Sequence, residues 1–408
     1  MTNFVWRAAA AGKPLIGVSI NYRLNAFGFL WGSQELTANG SANNGLRDQR
    51  LALHWIQENI ASFGGDPRKV TLFGQSGGAL SIGKQLTAYG GRDDGLFRAA
   101  IMQSGSMAEK WPYNIQEPTA YTEDLYKTVT TSTNCSRKPS ELECLRSLPV
   151  EELSAALNIT DTAVFYGTGL GPWLTQVDGD FLVDSPTESV RSGHFLPVPI
   201  MYTTTSDEAT VFGFGGKVDS DADFRAFVAA GGPDPSTVST IEILYPNVNA
   251  IGLPAEYDPT PQEDETYGAQ WKRAVAFHTD VVENTSRRLV LDAWAENGAT
   301  AYSGRFNMHL NGSSSRLGSP HGTEIPYLFD SVTGEQADAE YVAMSELIGM
   351  MWASFVVDLD PNNHGGKLGG TISDNYCTAD WRLHSCRSFG LAKLECQYCG
   401  WRGLKHRV

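Results

Sequence analysis

The stretch KVTLFGQSGGALSIGKQL, residues 69–86, decides the fold class. Val70 to Phe73 form a short, β-rich apolar run of the kind buried in a parallel sheet. Small residues follow, and from about Gly78 to Tyr89 the chain reads as a helix. Gly74-Gln75-Ser76-Gly77-Gly78 is therefore a G-x-S-x-G on a strand-to-helix turn, where a serine hydroxyl is presented above a sheet. The bare pattern arises by accident in roughly a quarter to a third of chains of this length, so its placement carries the weight. Small residues on both sides let the backbone take a strained turn and let an acyl group approach. The helix start beyond Ser76 offers N–H groups to a developing oxyanion.

Elements on either side extend the pattern. PLIGVSI (14–20) reads as a buried strand, and LRDQRLALHWIQENIA (46–61) as an amphipathic helix with Leu53, Ile56 and Ile60 on one face. AAIMQS (99–104) and PVPIMYTT (197–204) read as further strands, and residues 264–297 and 340–357 as helical. TAYSGRFNMHL (300–310) alternates, with Tyr302, Gly304, Phe306, Met308 and Leu310 on one face. Strands alternating with helices predict an α/β fold: a mostly parallel sheet covered by helices on both faces.

Composition narrows the function. Of 408 residues, 41% are hydrophobic and 19% charged, enough apolar material for a large core. No run reaches 18 apolar residues, so no membrane-spanning segment is expected. Thirty-one Lys and Arg against 46 acids give a net charge of −15, which disfavours nucleic acid or an anionic membrane and favours a neutral or small substrate. Five N-x-S/T sequons, at Asn39, Asn134, Asn158, Asn284 and Asn311, accompany the close cysteine pair Cys135 and Cys144, and together they lean toward an oxidising, secretory history. The opening MTNFVWRAAAAGK carries an arginine within its short apolar stretch and makes a poor signal peptide.

A serine nucleophile needs a general base, and histidine suits neutral pH. His321 is preferred, because SRLGSPHGTEIP is a small-residue loop after the 300–310 strand, from which a side chain can project over the sheet. His54 and His278 fall within helix patterns and His309 on the polar face of a strand, positions that suit structural or solvated histidines. The third member must be a carboxylate leaving a strand end, and hydrolases with this turn run serine, acid, histidine along the chain. Asp207 and Glu208 both follow PVPIMYTTT. Adjacent side chains leave an extended chain on opposite sides, so one of them faces the histidine, and residue chemistry alone does not say which.

The block NNGLRDQRLALHWIQENIASFGGDPRKVTLFGQSGGALS (43–81) closely resembles the type-B carboxylesterase/lipase family. NYRLNAFGFL (21–30), MQSGS (102–106), WLTQVDGDFLVDSP (173–186), SGHFLPVPIMYTTTSDEATVF (192–212) and GSPHGTEIPYLF (318–329) resemble it in the same order, over about 16 to 364. VDGDF and DPNN look nearest the fungal secreted lipases. The resemblance implies an α/β-hydrolase fold, a lipid or small-molecule ester substrate, no cofactor, and a secreted protein. It implies Ser76 as nucleophile, Glu208 as acid and His321 as base. It also implies that the Gly77 N–H, where the family usually has alanine, serves the oxyanion hole. Ser104 resembles a buried serine that supports the triad, Glu324 a structural acid, and Cys135 and Cys144 a disulfide pair. A non-catalytic, esterase-like binding protein is the rival class, since the fold also hosts those, but such proteins usually lack a triad member.

Two departures from the family set further expectations. The family normally begins well before NYRL, with strands, a lid loop and an HGGG-like segment that supplies oxyanion donors. Losing one such donor costs on the order of 10²–10³ in kcat, so residues 1–366 are expected to be an incomplete hydrolase domain of weak activity or poor folding. From Lys367 the composition changes to seven Lys and Arg against three Asp and Glu, with Cys377, Cys386, Cys396 and Cys399. The first of these pairs is too widely spaced for the usual C-x₂₋₄-C zinc rule, so residues 367–408 read as a divergent, Cys-rich basic tail with no metal, explained most simply by a misread exon or shifted frame.

Overall fold

A computed structural model describes residues 1–364, apart from 106, 109–117, 160–171, 213–215, 310–311 and 332–338. The sequon at Asn311 and the whole 367–408 segment lie outside the described residues. Four strands, β1 (Thr71–Gln75), β2 (Ala99–Gln103), β3 (Ile200–Thr205) and β4 (Ala301–Phe306), form one sheet in the order β1-β2-β3-β4. Every pairing is parallel, with Gln75 opposite Gln103, Met102 opposite Tyr202 and Met201 opposite Tyr302. Parallel neighbours need crossovers, and helices supply them.

Side chains alternate across this sheet and define two cores. On one face Ala100, Met102, Ile200, Tyr202 and Ala301 pack with three helices. These are α1 (Asn44–Asn59), through Leu53 and Ile56; α2 (Gly77–Gly91), through Ala79, Ile82 and Leu86; and α4 (Thr285–Glu296), through Val290 and Trp294. On the other face Ala99, Ile101, Met201 and Tyr302 meet α5 (Ala339–Asp358) through Met351, Trp352 and Phe355. Both faces are thus covered, which is why β2 and β3 are buried at every residue. α5 is long and apolar enough to cross a membrane by composition, yet half of that window is buried in the fold. Cys135 and Cys144 form a disulfide.

Two sequence expectations change. PLIGVSI is not a strand: residues 14–20 have no regular secondary structure, and Ile16, Val18 and Ile20 are exposed. Among the described residues this run enters no strand pairing, and β propensity without a paired neighbour forms no strand. The 300–310 strand also stops at Phe306. The 264–297 region is helical but interrupted. Between α3 (Trp271–Thr279) and α4 lies a π-helical turn, Asp280–Asn284.

Candidate active site

The carboxyl ends of the four strands assemble the site. Ser76 follows β1 directly, and its backbone sits at φ 54°, ψ −122°, a strained conformation for a residue with a Cβ. Its N–H donates to Gln103 O at 2.8 Å, continuing the β1–β2 ladder one residue beyond the strand. Glycine is required around this turn: a Cβ on Gly74 would stand 2.5 Å from Gly78 C, and one on Gly105 would stand 2.5 Å from Ser76 O. Gly77 differs, with nothing within 4 Å of a Cβ built there. As the first residue of α2, it has an N–H with no intrahelical acceptor.

The next two strands deliver the acid and its partner. Ser104 follows β2, 1% exposed, also at positive φ (47°), with its N–H on Thr203 O at 2.8 Å. Glu208, fully buried, begins a short 3₁₀ turn after β3. Its Oε1 accepts from Ser104 Oγ at 2.7 Å and from Thr205 N at 2.6 Å. Its Oε2 lies 2.7 Å from His321 Nδ1. Asp207 goes the other way: its Oδ2 accepts from Ser319 N at 2.8 Å and its N–H donates to Ser319 O at 3.0 Å. The adjacent pair thus splits by side, one carboxylate tying down the histidine loop and the other meeting the ring.

His321 is nearly buried, its side chain 14% exposed, and its ring packs against Phe212 with centroids 5.0 Å apart. Nε2 faces the end of β1, where Gln75 Nε2 stands 3.2 Å away. With Nδ1–H donated to Glu208, Nε2 carries the lone pair and accepts from this amide. The structure therefore brings His321 to Glu208 and to the residue beside Ser76, while a Ser76–His321 hydrogen bond is not among those of the described residues. Glu324, 2% exposed, accepts from Gln103 Nε2 at 2.8 Å through Oε1. Burial, and then the charge of Glu208, push its carboxyl up to about 7.

Sequence reading missed three neighbours. Gln75 is the contact on His321 Nε2, Phe212 is the ring against the imidazole, and Glu283 comes from the π-helical turn. Glu283 is 2% exposed, and its carboxylate lies with a carboxylate oxygen of Glu208 and a ring nitrogen of His321 inside a 4.8 Å group. By separation alone those three could hold a cation, but His321 Nδ1 is already hydrogen-bonded to Glu208. Helical periodicity gave no hint of Glu283, because a π turn inserts one residue and re-aims the side chains after it.

The strained serine turn between β1 and α2, the carboxylate–imidazole pair and the parallel sheet covered on both faces are arranged as in an α/β-hydrolase fold. The chain belongs to the carboxylesterase family, whose model matches residues 8–382. It is 33% identical over 404 residues to Secreted lipase 1 of Botryotinia fuckeliana (strain B05.10), covering 92% of this chain and 67% of that protein. To Secreted lipase ARB07186/07185 of Arthroderma benhamiae (strain ATCC MYA-4681 / CBS 112371) it is 33% identical over 379 residues, covering 89% and 63%. Among solved structures, Aspergillus niger EstA superposes with a TM-score of 0.69 at 26% identity, over 90% of this chain and 67% of that one. The chain spans about two thirds of the length of these relatives.

Proposed function

We propose that this protein hydrolyses carboxylic esters by acyl transfer. Ser76 Oγ attacks the ester carbonyl, His321 Nε2 takes the hydroxyl proton and returns it to the leaving alcohol, and Glu208 holds the ring tautomer and balances the imidazolium. The Gly77 N–H receives the oxyanion, and water then releases the acid from Ser76 by the same steps in reverse order. Ser104 fixes the Glu208 carboxylate, and burial together with the charge of Glu208 favours the protonated form of the nearby Glu324, whose carboxyl is pushed up to about 7. To reach the base, the Ser76 hydroxyl takes the place of the Gln75 amide on Nε2; catalytic hydrogen bonds often tighten only when substrate binds. Lipid or small neutral esters suit the net charge of −15, and an extracellular location suits both the disulfide and the relatives named as secreted.

The observation that carries this reading is the 2.7 Å contact between His321 Nδ1 and Glu208 Oε2, formed at the sheet rim beside the strained Ser76 turn. A fluorophosphonate probe tests it, together with p-nitrophenyl butyrate turnover. One covalent adduct is expected on Ser76, absent from S76A and strongly slowed in H321A. A chain that stays unlabelled, or labels elsewhere, overturns the proposal.

A further inference from the structure

Glu283 is a buried carboxylate that the reaction scheme above does not use. It belongs to the π-helical turn Asp280–Asn284, and hydrogen bonds fix that turn to the surroundings of the catalytic acid. Thr279, the residue before the turn, accepts at Oγ1 from Ala209 N, 3.2 Å away, and Ala209 directly follows Glu208. At the far end, Asn284 Oδ1 receives Thr204 Oγ1 of β3 at 3.4 Å, and Asn284 Nδ2 donates to Asp280 Oδ1 at 2.8 Å. The extra residue of a π turn rotates the side chains around it. Glu283 thereby reaches the triad: an oxygen of its carboxylate, an oxygen of Glu208 and a ring nitrogen of His321 lie within 4.8 Å of one another.

The titratable groups near this imidazole are not equivalent. Glu208 is committed by hydrogen bonds, Oε1 to Ser104 and Thr205 and Oε2 to His321 Nδ1. Glu324 begins the helix Glu324–Leu328, and burial with the charge of Glu208 pushes its carboxyl up to about 7, so near neutral pH it carries only part of a charge. Asp207 is turned toward Ser319 N. His278 lies behind Phe212, with ring centroids 6.0 Å apart, and burial pushes it down to about 4, so it is neutral above that pH. Gln75 and Phe212 carry no charge. A carboxylate as deeply buried as Glu283 has lost its water and is retained where a cation can balance it. The cation this site makes is the His321 imidazolium, formed each time the ring takes the Ser76 proton. An opposite charge within about 4–6 Å moves a proton equilibrium by about one to three pH units.

We propose that Glu283 is a positioning residue for ester hydrolysis, a second carboxylate that shares with Glu208 the positive charge His321 acquires. This role rests on the ester-hydrolysis reading. Glu208 sets the ring tautomer through its hydrogen bond, whereas Glu283 acts through its charge. Negative charge beside the ring favours the imidazolium, so removing it weakens the base and lets the ring stay neutral to lower pH. The test is the pH profile of kcat/KM for p-nitrophenyl butyrate, with fluorophosphonate labelling of the parent and thermal unfolding of each variant. In E283Q the acid limb should move down by about one pH unit or more and the plateau kcat should fall about tenfold, with KM held within about twofold. E283D restores the charge, and its limb should return toward that of the parent. Should E283Q not fold, E283N against E283D repeats the comparison one methylene shorter, and the E283N limb should lie lower. A Glu283 that only supports packing would lower the plateau and leave the limb in place. An E283Q limb at the parent's position, or equal limbs in E283D and E283N, overturns the role of Glu283 alone. A parent that neither turns over the ester nor labels at Ser76 overturns the ester-hydrolysis reading, and this role with it.

Discussion

Replacing Glu208 by glutamine keeps the shape of the side chain and changes its hydrogen-bond chemistry. Two donors converge on Oε1, Ser104 Oγ at 2.7 Å and Thr205 N at 2.6 Å, while Oε2 faces His321 Nδ1 at 2.7 Å. A glutamine has one acceptor oxygen and one NH₂. Turning the NH₂ toward Thr205 would set two N–H donors against each other in a buried site, so the oxygen stays on that side and the NH₂ meets Nδ1. Nδ1 must then accept, the ring proton moves to Nε2, and the lone pair that would receive the Ser76 proton is gone. A wrong-tautomer triad of this kind loses about 10⁴ in kcat, or about 5 kcal/mol at 1.36 kcal/mol per tenfold. The measurement is steady-state hydrolysis of p-nitrophenyl butyrate by parent and E208Q, with thermal unfolding to confirm that both are folded. A folded E208Q whose kcat lies within tenfold of the parent would refute the assignment of Glu208 as the group that sets the tautomer.

Other consequences can be checked alongside it. S104A removes one donor from Oε1 and leaves Thr205 N, so kcat should fall about 10- to 100-fold, far less than in E208Q; kinetics of the two variants side by side decide this. G77A meets no atom within 4 Å and should gain about 0.4–1 kcal/mol in urea unfolding, whereas G74A forces a Cβ against Gly78 and should lose about 1–3 kcal/mol. Glu324 keeps its proton up to about pH 7 when folded but releases it from about 4.5 when unfolded, so its stability contribution is full below 4.5 and falls as pH rises through 7. E324Q lacks that loss, and from pH 4.5 to above 7 it should gain roughly 3 kcal/mol relative to the parent in denaturant titrations. In a secreting host, glycans should appear at the exposed Asn39, Asn134 and Asn158 and not at Asn284, whose side chain bonds Asp280 and Thr204; peptide mapping reads this out.

What the sequence disclosed follows the range of the interactions involved. The Ser76 turn was legible because its demands are local: Gly74 and Gly78 must touch, and a strand must run straight into a helix. The two-faced sheet was legible because burial on both sides leaves unbroken apolar runs such as AAIMQ. The choice between Asp207 and Glu208 was not, since it turns on which carboxylate meets a loop more than a hundred residues away; family resemblance pointed to Glu208, and the structure pairs Glu208 with His321 and Asp207 with Ser319. PLIGVSI misled because propensity describes a residue and a strand needs a neighbour. Glu283 and the Gln75 contact were invisible for a related reason: one depends on a π turn hidden in a helical pattern, the other on a separation of 246 residues.

The chain spends its longest excursions, residues 104–199 and 206–300, between consecutive strands of a sheet whose neighbours are also neighbours in sequence order. Ser104 and Glu208 stand at the starts of these excursions, while Ser76 and His321 lie outside them, directly after β1 and in the loop after β4. A change of length within either excursion, beyond its first few residues, would therefore leave the strand register and the Ser104–Glu208 contact in place.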